Sequence, residues 1–194
     1  MFDTKDSGNF KAVGLKTTLI EVAAELASNP REIKLPTMRE LAKKAGVAPG
    51  AAYRHFESQD ALFIDVIRFL FEQLEETIKE AIRSSPNSDA TVGRLAQAYV
   101  SWGLSNPGGY QLLFETTDEV DMPLPDERPG LHLITQLAQL LSKNSTPDEA
   151  SIQKAIQVWI SMHGLISLRM HKTGMPWRNT VEEDVNQLIR AIGN

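Results

Sequence analysis

The sequence contains no cysteine, so disulfide bonds and thiolate chemistry are excluded. It also contains no run of about 18 apolar residues, the length that a membrane-spanning helix needs. The N-terminal stretch MFDTKDSGNFKAVG is polar and lacks the apolar core of a signal peptide. We therefore expect a soluble protein of the cytoplasm.

The sequence also lacks the residue patterns of enzymes. It has no glycine-rich phosphate loop and no serine that is placed convincingly with a histidine and an aspartate. Its four histidines do not have the spacing of metal ligands, and His163 and His171 lie two helical turns apart, too far for one ion. We predict a protein that is not an enzyme and that needs no metal or cofactor.

The net charge of −5 argues at first against a nucleic-acid-binding protein. The charge is distributed unevenly, however. Residues 1–55 contain nine Lys and Arg and six Asp and Glu, a balance of +3, whereas the remaining residues contain eleven and nineteen, a balance of −8. A basic N-terminal part on an acidic remainder indicates two regions with different partners.

Apolar residues recur at helical spacing along most of the chain, and no segment alternates with the period of a strand. At three predicted helix starts a threonine precedes a glutamate by three residues, the pattern of a helix capping box. These pairs are Thr37 with Glu40, Thr146 with Glu149, and Thr180 with Glu183. The sequence predicts an all-α protein of about nine helices.

The segment TMRELAKKAGVAPGAAYRHF has the spacing of a helix-turn-helix. A capped helix of about two turns ends before Gly46, a residue that accepts the positive φ of a sharp turn. A short second helix begins near Pro49, which the first helical turn tolerates. We predict that residues 1–57 form a DNA-binding domain with three helices and that residues 58–194 form a second, helical domain.

The second helix of such a motif lies in the major groove of DNA. The residues at its start have small side chains, which let the backbone approach the groove walls. The residues at its end offer hydrogen-bond donors. Arg54 can reach a phosphate or a guanine edge, while Tyr53 and His55 are suited to phosphates. The alternative is an ordinary helical hairpin with polar surface residues. The predicted DNA-binding residues of this helix are Ala48, Pro49, Gly50, Ala51, Tyr53, Arg54 and His55.

The longer stretch TMRELAKKAGVAPGAAYRHFESQDAL resembles the signature of the TetR family of transcriptional regulators. With the first helix, LKTTLIEVAAELAS, the resemblance covers residues 15–70. It implies a homodimer that binds a palindromic operator, and a C-terminal helical domain that receives a small ligand and releases the DNA. It also implies that Thr37 caps the second helix and contacts a phosphate.

Three positions depart from the family pattern. Ala48 and Ala51 stand where hydroxyl residues are common, and Gln59 stands where a lysine commonly contacts a phosphate. The loss of one cation should reduce the salt dependence of DNA binding by about one unit of slope.

Large apolar side chains of the C-terminal region concentrate in residues 99–114 and 156–170. Ligand cavities are lined mostly by such groups, although aromatic residues at helical spacing also simply form core. The stretches NPGGYQLLFE and VWISMHGLISL loosely resemble a family subtype named for a Trp-His-Gly pattern. The predicted ligand-binding residues are Tyr99, Trp102, Tyr110, Leu113, Phe114, Trp159, Met162 and His163.

Gly164 lies within a helical pattern, where glycine costs about 1 kcal/mol relative to alanine. Its presence indicates the close approach of another backbone or of a bound molecule. The family resemblance implies a dimer interface made by the last two helices, although some of their apolar residues must face the chain's own core. The predicted interface residues are Ile152, Ile156, Ile166, Met170, Val185, Leu188, Ile189 and Ile192.

Taken together, these features predict a ligand-responsive repressor. Its expected partners are double-stranded operator DNA, a small and largely apolar effector, and a second copy of the chain. A helical ligand carrier or adaptor is the alternative, but it has no use for the helix-turn-helix. An activator in place of a repressor is also compatible with the sequence.

Overall fold

A computed structural model describes residues 14–28, 35–83, 88–115, 129–142, 144 and 146–193 of the chain. All regular structure in these residues is helical, which confirms the predicted fold class. The nine helices of the described residues are α1 (Leu15–Ala27), α2 (Met38–Lys44), α3 (Pro49–Tyr53), α4 (Gln59–Arg83), α5 (Ser88–Ser105), α6 (Pro107–Phe114), α7 (Pro129–Leu141), α8 (Glu149–His171) and α9 (Val181–Gly193).

The chain divides into two compact units. The first contains α1, α2, α3, α4 as far as Leu70, and α6 from Gly108 onwards; the second contains α4 from Phe71, together with α5, α7, α8 and α9. The predicted division of the chain between residues 57 and 58 stays a prediction.

The first unit is built around fully buried leucines of three helices, Leu19, Leu41 and Leu62. Two ion pairs join its helices: the Lys16 ammonium lies 2.7 Å from the Asp65 carboxylate, and Lys44 lies 3.0 Å from Glu25. These pairs link α1 to α4 and to α2.

Helix α6 packs against the end of α1 through a glycine. A β-carbon at Gly108 would lie 2.2 Å from the backbone carbonyl oxygen of Ser28, closer than any side chain tolerates. The absence of a side chain at this position therefore allows the two backbones to meet, and it makes α6 part of the first unit.

In the second unit, α8 packs against α5, α7 and α9. Its inward face includes Met162 and Ile166, both fully buried. The connection from α8 to α9 is held by Arg169, which donates hydrogen bonds to the Asp184 carboxylate and to the carbonyl of Asn179, the latter at 2.8 Å. Its guanidinium also lies 4.2 Å from the ring centre of Trp177.

Two of the three predicted capping boxes are confirmed. In each, the threonine hydroxyl accepts from the glutamate N–H, at 3.3 Å for Thr37 and 3.2 Å for Thr180. The third is wrong, because α8 is capped by Asp148, whose carboxylate accepts from the N–H of Ser151 at 2.8 Å. That hydrogen bond is the main reason why the pKa of Asp148 is lowered.

Candidate functional site

The turn between α2 and α3 has the geometry that the sequence predicts. Gly46 has a φ of +68°, in the left-handed region that favours glycine. The next N–H, of Val47, donates to the carbonyl of Ala42 at 3.0 Å and closes the turn. Phe56, after α3, is only 2% exposed and anchors the end of this segment in the first unit.

Most of the predicted DNA-binding residues lie on one exposed surface, which we call the reading surface. Its members are Ala48, Pro49, Gly50, Tyr53, Arg54 and His55, all exposed. Tyr53 has 62% of its surface exposed, unusually much for an aromatic residue. Ala51 is the correction: it is only 5% exposed, and the next residue, Ala52, is fully buried. It cannot line a groove while α3 keeps this packing.

Thr37 is exposed at the start of α2, but its hydroxyl group is already in use. It donates to the Glu40 carboxylate at 2.7 Å and accepts from the Glu40 N–H. A phosphate that takes this hydroxyl hydrogen would have to displace the carboxylate. The cap is confirmed, and the phosphate contact stays a prediction.

Two exposed cations of α2, the helix before the turn, were not among the predicted DNA-binding residues. Arg39 and Lys43 lie four residues apart on α2, and both are exposed. Like Arg54, they make no ion pair with any described residue, whereas Lys16 and Lys44 are paired. The spacing of Arg39 and Lys43, on the side of α2 away from its buried residues, is the signal that could have found them.

Gln59 has a role that explains its departure from the family pattern. Its side-chain amide donates to two consecutive backbone carbonyls, those of Leu35 and Pro36, each at 3.3 Å. These carbonyls immediately precede the cap of α2. Gln59 therefore fastens the start of α4 to the segment that leads into the helix-turn-helix.

The second unit brings together three of the predicted ligand-binding residues. The Tyr99 hydroxyl on α5 lies 3.0 Å from Nε2 of His163 on α8, and the two rings meet edge to face. Trp159 lies one turn before His163, and their ring centres are 4.5 Å apart, also edge to face. Burial lowers the pKa of His163 to about 4, so the imidazole is neutral at pH 7. We call these three residues the aromatic cluster.

The other predicted ligand-binding residues are buried or half-buried. Trp102 and Met162 lie in the second unit, whereas Tyr110, Leu113 and Phe114 lie in the first. The rings of Tyr110 and Phe114 are 5.1 Å apart, and burial, with a smaller contribution from Glu115, raises the pKa of Tyr110 well above its usual value. A ligand-binding role for each of these residues stays a prediction.

The predicted dimer residues do not share one environment. Ile166 and Val185 are fully buried within the single chain, so they belong to its own core and cannot form an interface. Ile152 is 40% exposed. The other predicted residues, Ile156, Met170, Leu188, Ile189 and Ile192, are half-buried.

Two apolar residues of α8 were missed: Ile160 is 59% exposed and Leu168 is 46% exposed. Gly164 lies midway between them and is also exposed, and beyond its own helical turn no atom of the described residues lies within 4 Å of where its β-carbon would be. These three positions follow each other at intervals of four residues and form one stripe, which we call the α8 stripe.

The described residues offer neither a metal site nor a membrane-spanning helix. They contain no group of three or more His, Asp or Glu residues that could hold a metal ion. None of their helices is both long and apolar enough to cross a membrane.

Comparison with known proteins identifies the family. Residues 35–66 match the profile of bacterial regulatory proteins of the tetR family, and residues 92–192 match that of the tetracyclin repressor-like C-terminal domain. The second match alone spans more than half of the chain. The chain belongs to the TetR family of transcriptional regulators.

This TetR-family chain is 30% identical over 82 residues to the HTH-type transcriptional repressor KstR2 of Rhodococcus jostii. The alignment spans 42% of this chain and 40% of KstR2, so less than half of that relative is matched.

Two solved structures share the fold. A protein of unknown function from Rhodococcus sp. RHA1 has a TM-score of 0.78 at 19% identity, covering 96% of this chain and 97% of that one. The multidrug binding protein EbrR, complexed with imidazole, has a TM-score of 0.62 at 20% identity, covering 93% of this chain and 95% of EbrR. At such identities the likeness shows the family's fold.

Proposed function

We propose that this chain is a repressor that binds a palindromic operator as a homodimer and is released by a small, largely apolar effector. The observation that carries the proposal is the reading surface: the last residue of α3 and the two residues after it present exposed donors that make no ion pair with any described residue. The matched relative KstR2 is named a repressor, which supports that direction of regulation.

The proposed DNA contacts divide by chemistry. Arg54 reads a base edge or a phosphate, while Arg39 and Lys43 supply positive charge to phosphates on the same side. Thr37, Tyr53 and His55 position the helix on the backbone, and the small residues Ala48, Pro49 and Gly50 allow its close approach. The DNA-binding domain then comprises residues 1–57, followed by a helical domain over residues 58–194.

A dimer follows from how short helices read DNA. The helix α3 has only five residues, Pro49–Tyr53, and covers too few base pairs to specify a site alone. Two copies related by a two-fold axis read two half-sites about one helical turn apart. We therefore propose that the operator is an inverted repeat.

The α8 stripe is the proposed centre of the dimer interface. Large exposed side chains at Ile160 and Leu168 are costly in water, and Gly164 between them leaves room for a helix of the partner to approach closely. Such an approach accounts for a mid-helix glycine that has open space around it among the described residues. Ile152 extends the stripe toward the start of α8, and the half-buried apolar residues of α9 flank it.

The effector is proposed to bind in the second unit at the aromatic cluster. EbrR, which shares the fold, is named a multidrug binding protein, and an apolar and aromatic lining suits that kind of ligand. A regulator of this kind works in the cytoplasm, where it meets both its operator and its effector. It needs no catalytic group.

The proposal is tested by selecting binding sites from a random DNA pool with the purified full-length protein. Salt of about 150 mM weakens nonspecific electrostatic binding, so that sequence-specific sites are enriched. We expect an inverted repeat to emerge and sedimentation to show a dimer on it. A folded, dimeric protein that enriches no sequence would contradict DNA reading and favour a helical ligand carrier instead.

A further inference from the structure

The indole of Trp159, in the aromatic cluster, has a buried hydrogen-bond donor without a partner in the part of the chain that the structure describes. Its Nε1 atom is buried and donates to no acceptor among the described residues. An indole nitrogen can only donate, and buried donors in folded proteins almost always have an acceptor. A buried donor without an acceptor among the described residues is available to a bound molecule.

A second indole on the neighbouring connection shows the usual arrangement. Trp177 donates from Nε1 to the backbone carbonyl of Lys172 at 3.2 Å. Trp177 thus has an acceptor inside the chain although it is far from fully buried. The difference between the two tryptophans makes Trp159 the one with a donor to offer to a ligand.

The chemistry around Trp159 restricts what the partner can be. His163, in edge-to-face contact with Trp159, is neutral at pH 7, and the Tyr99 hydroxyl lies 3.0 Å from its Nε2 atom. An indole carries no charge either, so neither Trp159 nor His163 supplies a counter-charge. A carboxylate or ammonium group placed here would lose its hydration without gaining a counter-charge from them, whereas a carbonyl oxygen would lose far less.

We infer that Trp159 donates a hydrogen bond to an uncharged oxygen of the effector, which is therefore a neutral carbonyl compound with an apolar body. The apolar body lies against the aromatic faces, and the oxygen fixes its orientation. This inference rests on the proposed function, because it names the class of molecule that the second unit receives.

The first test uses the wild-type protein and three probes with the same number of carbon atoms: methyl octyl ketone, decanoate and decylamine. Equilibrium dialysis should give the ketone at least a tenfold lower Kd than either ion. In a proton–nitrogen correlation spectrum, the indole N–H signal of Trp159 should move downfield with the ketone. Tighter binding of an ion, no binding of the ketone up to its solubility, or an unmoved signal would each overturn the inference.

The second test compares two matched variants. Trp159→Phe keeps an aromatic ring but removes the donor, and it should raise the Kd of the ketone about five- to tenfold. Trp177→Phe removes the indole whose donor is already used, and it should leave that Kd unchanged. Equal affinities in wild type and Trp159→Phe would overturn the inference. If Trp159→Phe does not fold, the wild-type spectrum decides alone.

The selection of DNA sites separates this inference from the proposed function. An enriched inverted repeat together with failed ketone binding overturns only the identity of the ligand. Ketone binding without any enriched sequence supports the ligand class and contradicts the repressor.

Discussion

The side chains of the reading surface are exposed to solvent, whereas those of the aromatic cluster already contact each other within the fold. Tyr53 and Arg54 are exposed and hold no other element in place. Tyr99 and His163, by contrast, bond to each other across two packed helices. Substitutions on the reading surface should therefore change binding alone, whereas those in the aromatic cluster should change stability as well.

The strongest test of this difference is the double variant Tyr53→Ala with Arg54→Ala. Each residue offers a contact of about 1–3 kcal/mol to DNA, so operator affinity should fall by about a hundredfold or more. The melting temperature should change little, because both side chains are exposed. Gel-shift titration and thermal unfolding by circular dichroism measure the two effects.

Arg178→Ala is the matched control, since it removes one exposed arginine from the second unit. It should retain full operator affinity. Undiminished DNA binding by the double variant would remove the reading surface from the proposal.

The next largest effect is expected at the α8 stripe. Ile160→Glu places a charge at the centre of the proposed interface, where it would be desolvated on association. Sedimentation should shift from dimer to monomer while helicity is retained, because Ile160 is exposed within the single chain.

Leu131→Glu is the control for this substitution, because Leu131 is 57% exposed on α7 and lies outside the stripe. That variant should remain a dimer. A dimeric Ile160→Glu protein would show that the partner approaches elsewhere.

The sequence predicts local features well where one residue determines the backbone. Gly46 at the turn, Pro49 at the start of α3 and the Thr37–Glu40 cap all follow from the chemistry of the residues themselves, and all are present. The fold class follows in the same way from helical spacing, because strands would require a different period.

Long-range packing limits what the sequence can predict. Ile160 and Ile166 are the same residue type on one helix, yet one is 59% exposed and the other fully buried. A helix with apolar residues on several sides does not reveal which side faces its own core. The contact of Gly108 with Ser28 and the hydrogen bonds of Gln59 to Leu35 and Pro36 likewise join residues distant in sequence.

The ion pair that joins α8 to α9 tests the expectation that the second unit depends on internal contacts. Burial by itself would raise the pKa of Asp184. Hydrogen bonds from Arg169 and Asn179, together with the charge of Arg169, lower the pKa by more than burial raises it, so the net shift is downward. This group therefore stabilises the fold above its unfolded pKa of about 4, and the contribution is lost as pH falls through the lower folded pKa.

Asp184→Asn should lower the free energy of unfolding at pH 7 by about 1–3 kcal/mol, because it leaves Arg169 largely buried without its counter-charge. It should also flatten the loss of stability in acid. Urea unfolding across a pH series measures both effects. Glu182→Gln, an exposed acid two residues earlier, should show neither; equal pH profiles for all three proteins would contradict the role of the pair.

The threonine caps of α2 and α9, one in each unit, allow a comparison with a smaller expected effect on operator affinity. Thr37→Ala and Thr180→Ala each remove a capping hydroxyl, so each should cost about 1 kcal/mol of stability. Of the two, only Thr37 belongs to the helix-turn-helix, as the cap of α2. Operator affinity should therefore fall several-fold in Thr37→Ala and stay unchanged in Thr180→Ala, as measured by titration at matched fractions of folded protein. Equal losses of affinity would mean that the cap at Thr37 acts on DNA binding only through stability.

The smallest expected effect concerns Gln59, where the chain has a neutral residue beside its reading surface. Gln59→Lys replaces an amide that holds the Leu35 and Pro36 carbonyls with a cation that can reach a phosphate. The slope of log affinity against log salt should steepen by about one unit. Gln59→Ala, which removes the same two hydrogen bonds without adding charge, should weaken binding at every salt concentration and leave the slope unchanged. A wild-type slope in Gln59→Lys would mean that the start of α4 does not approach the DNA backbone.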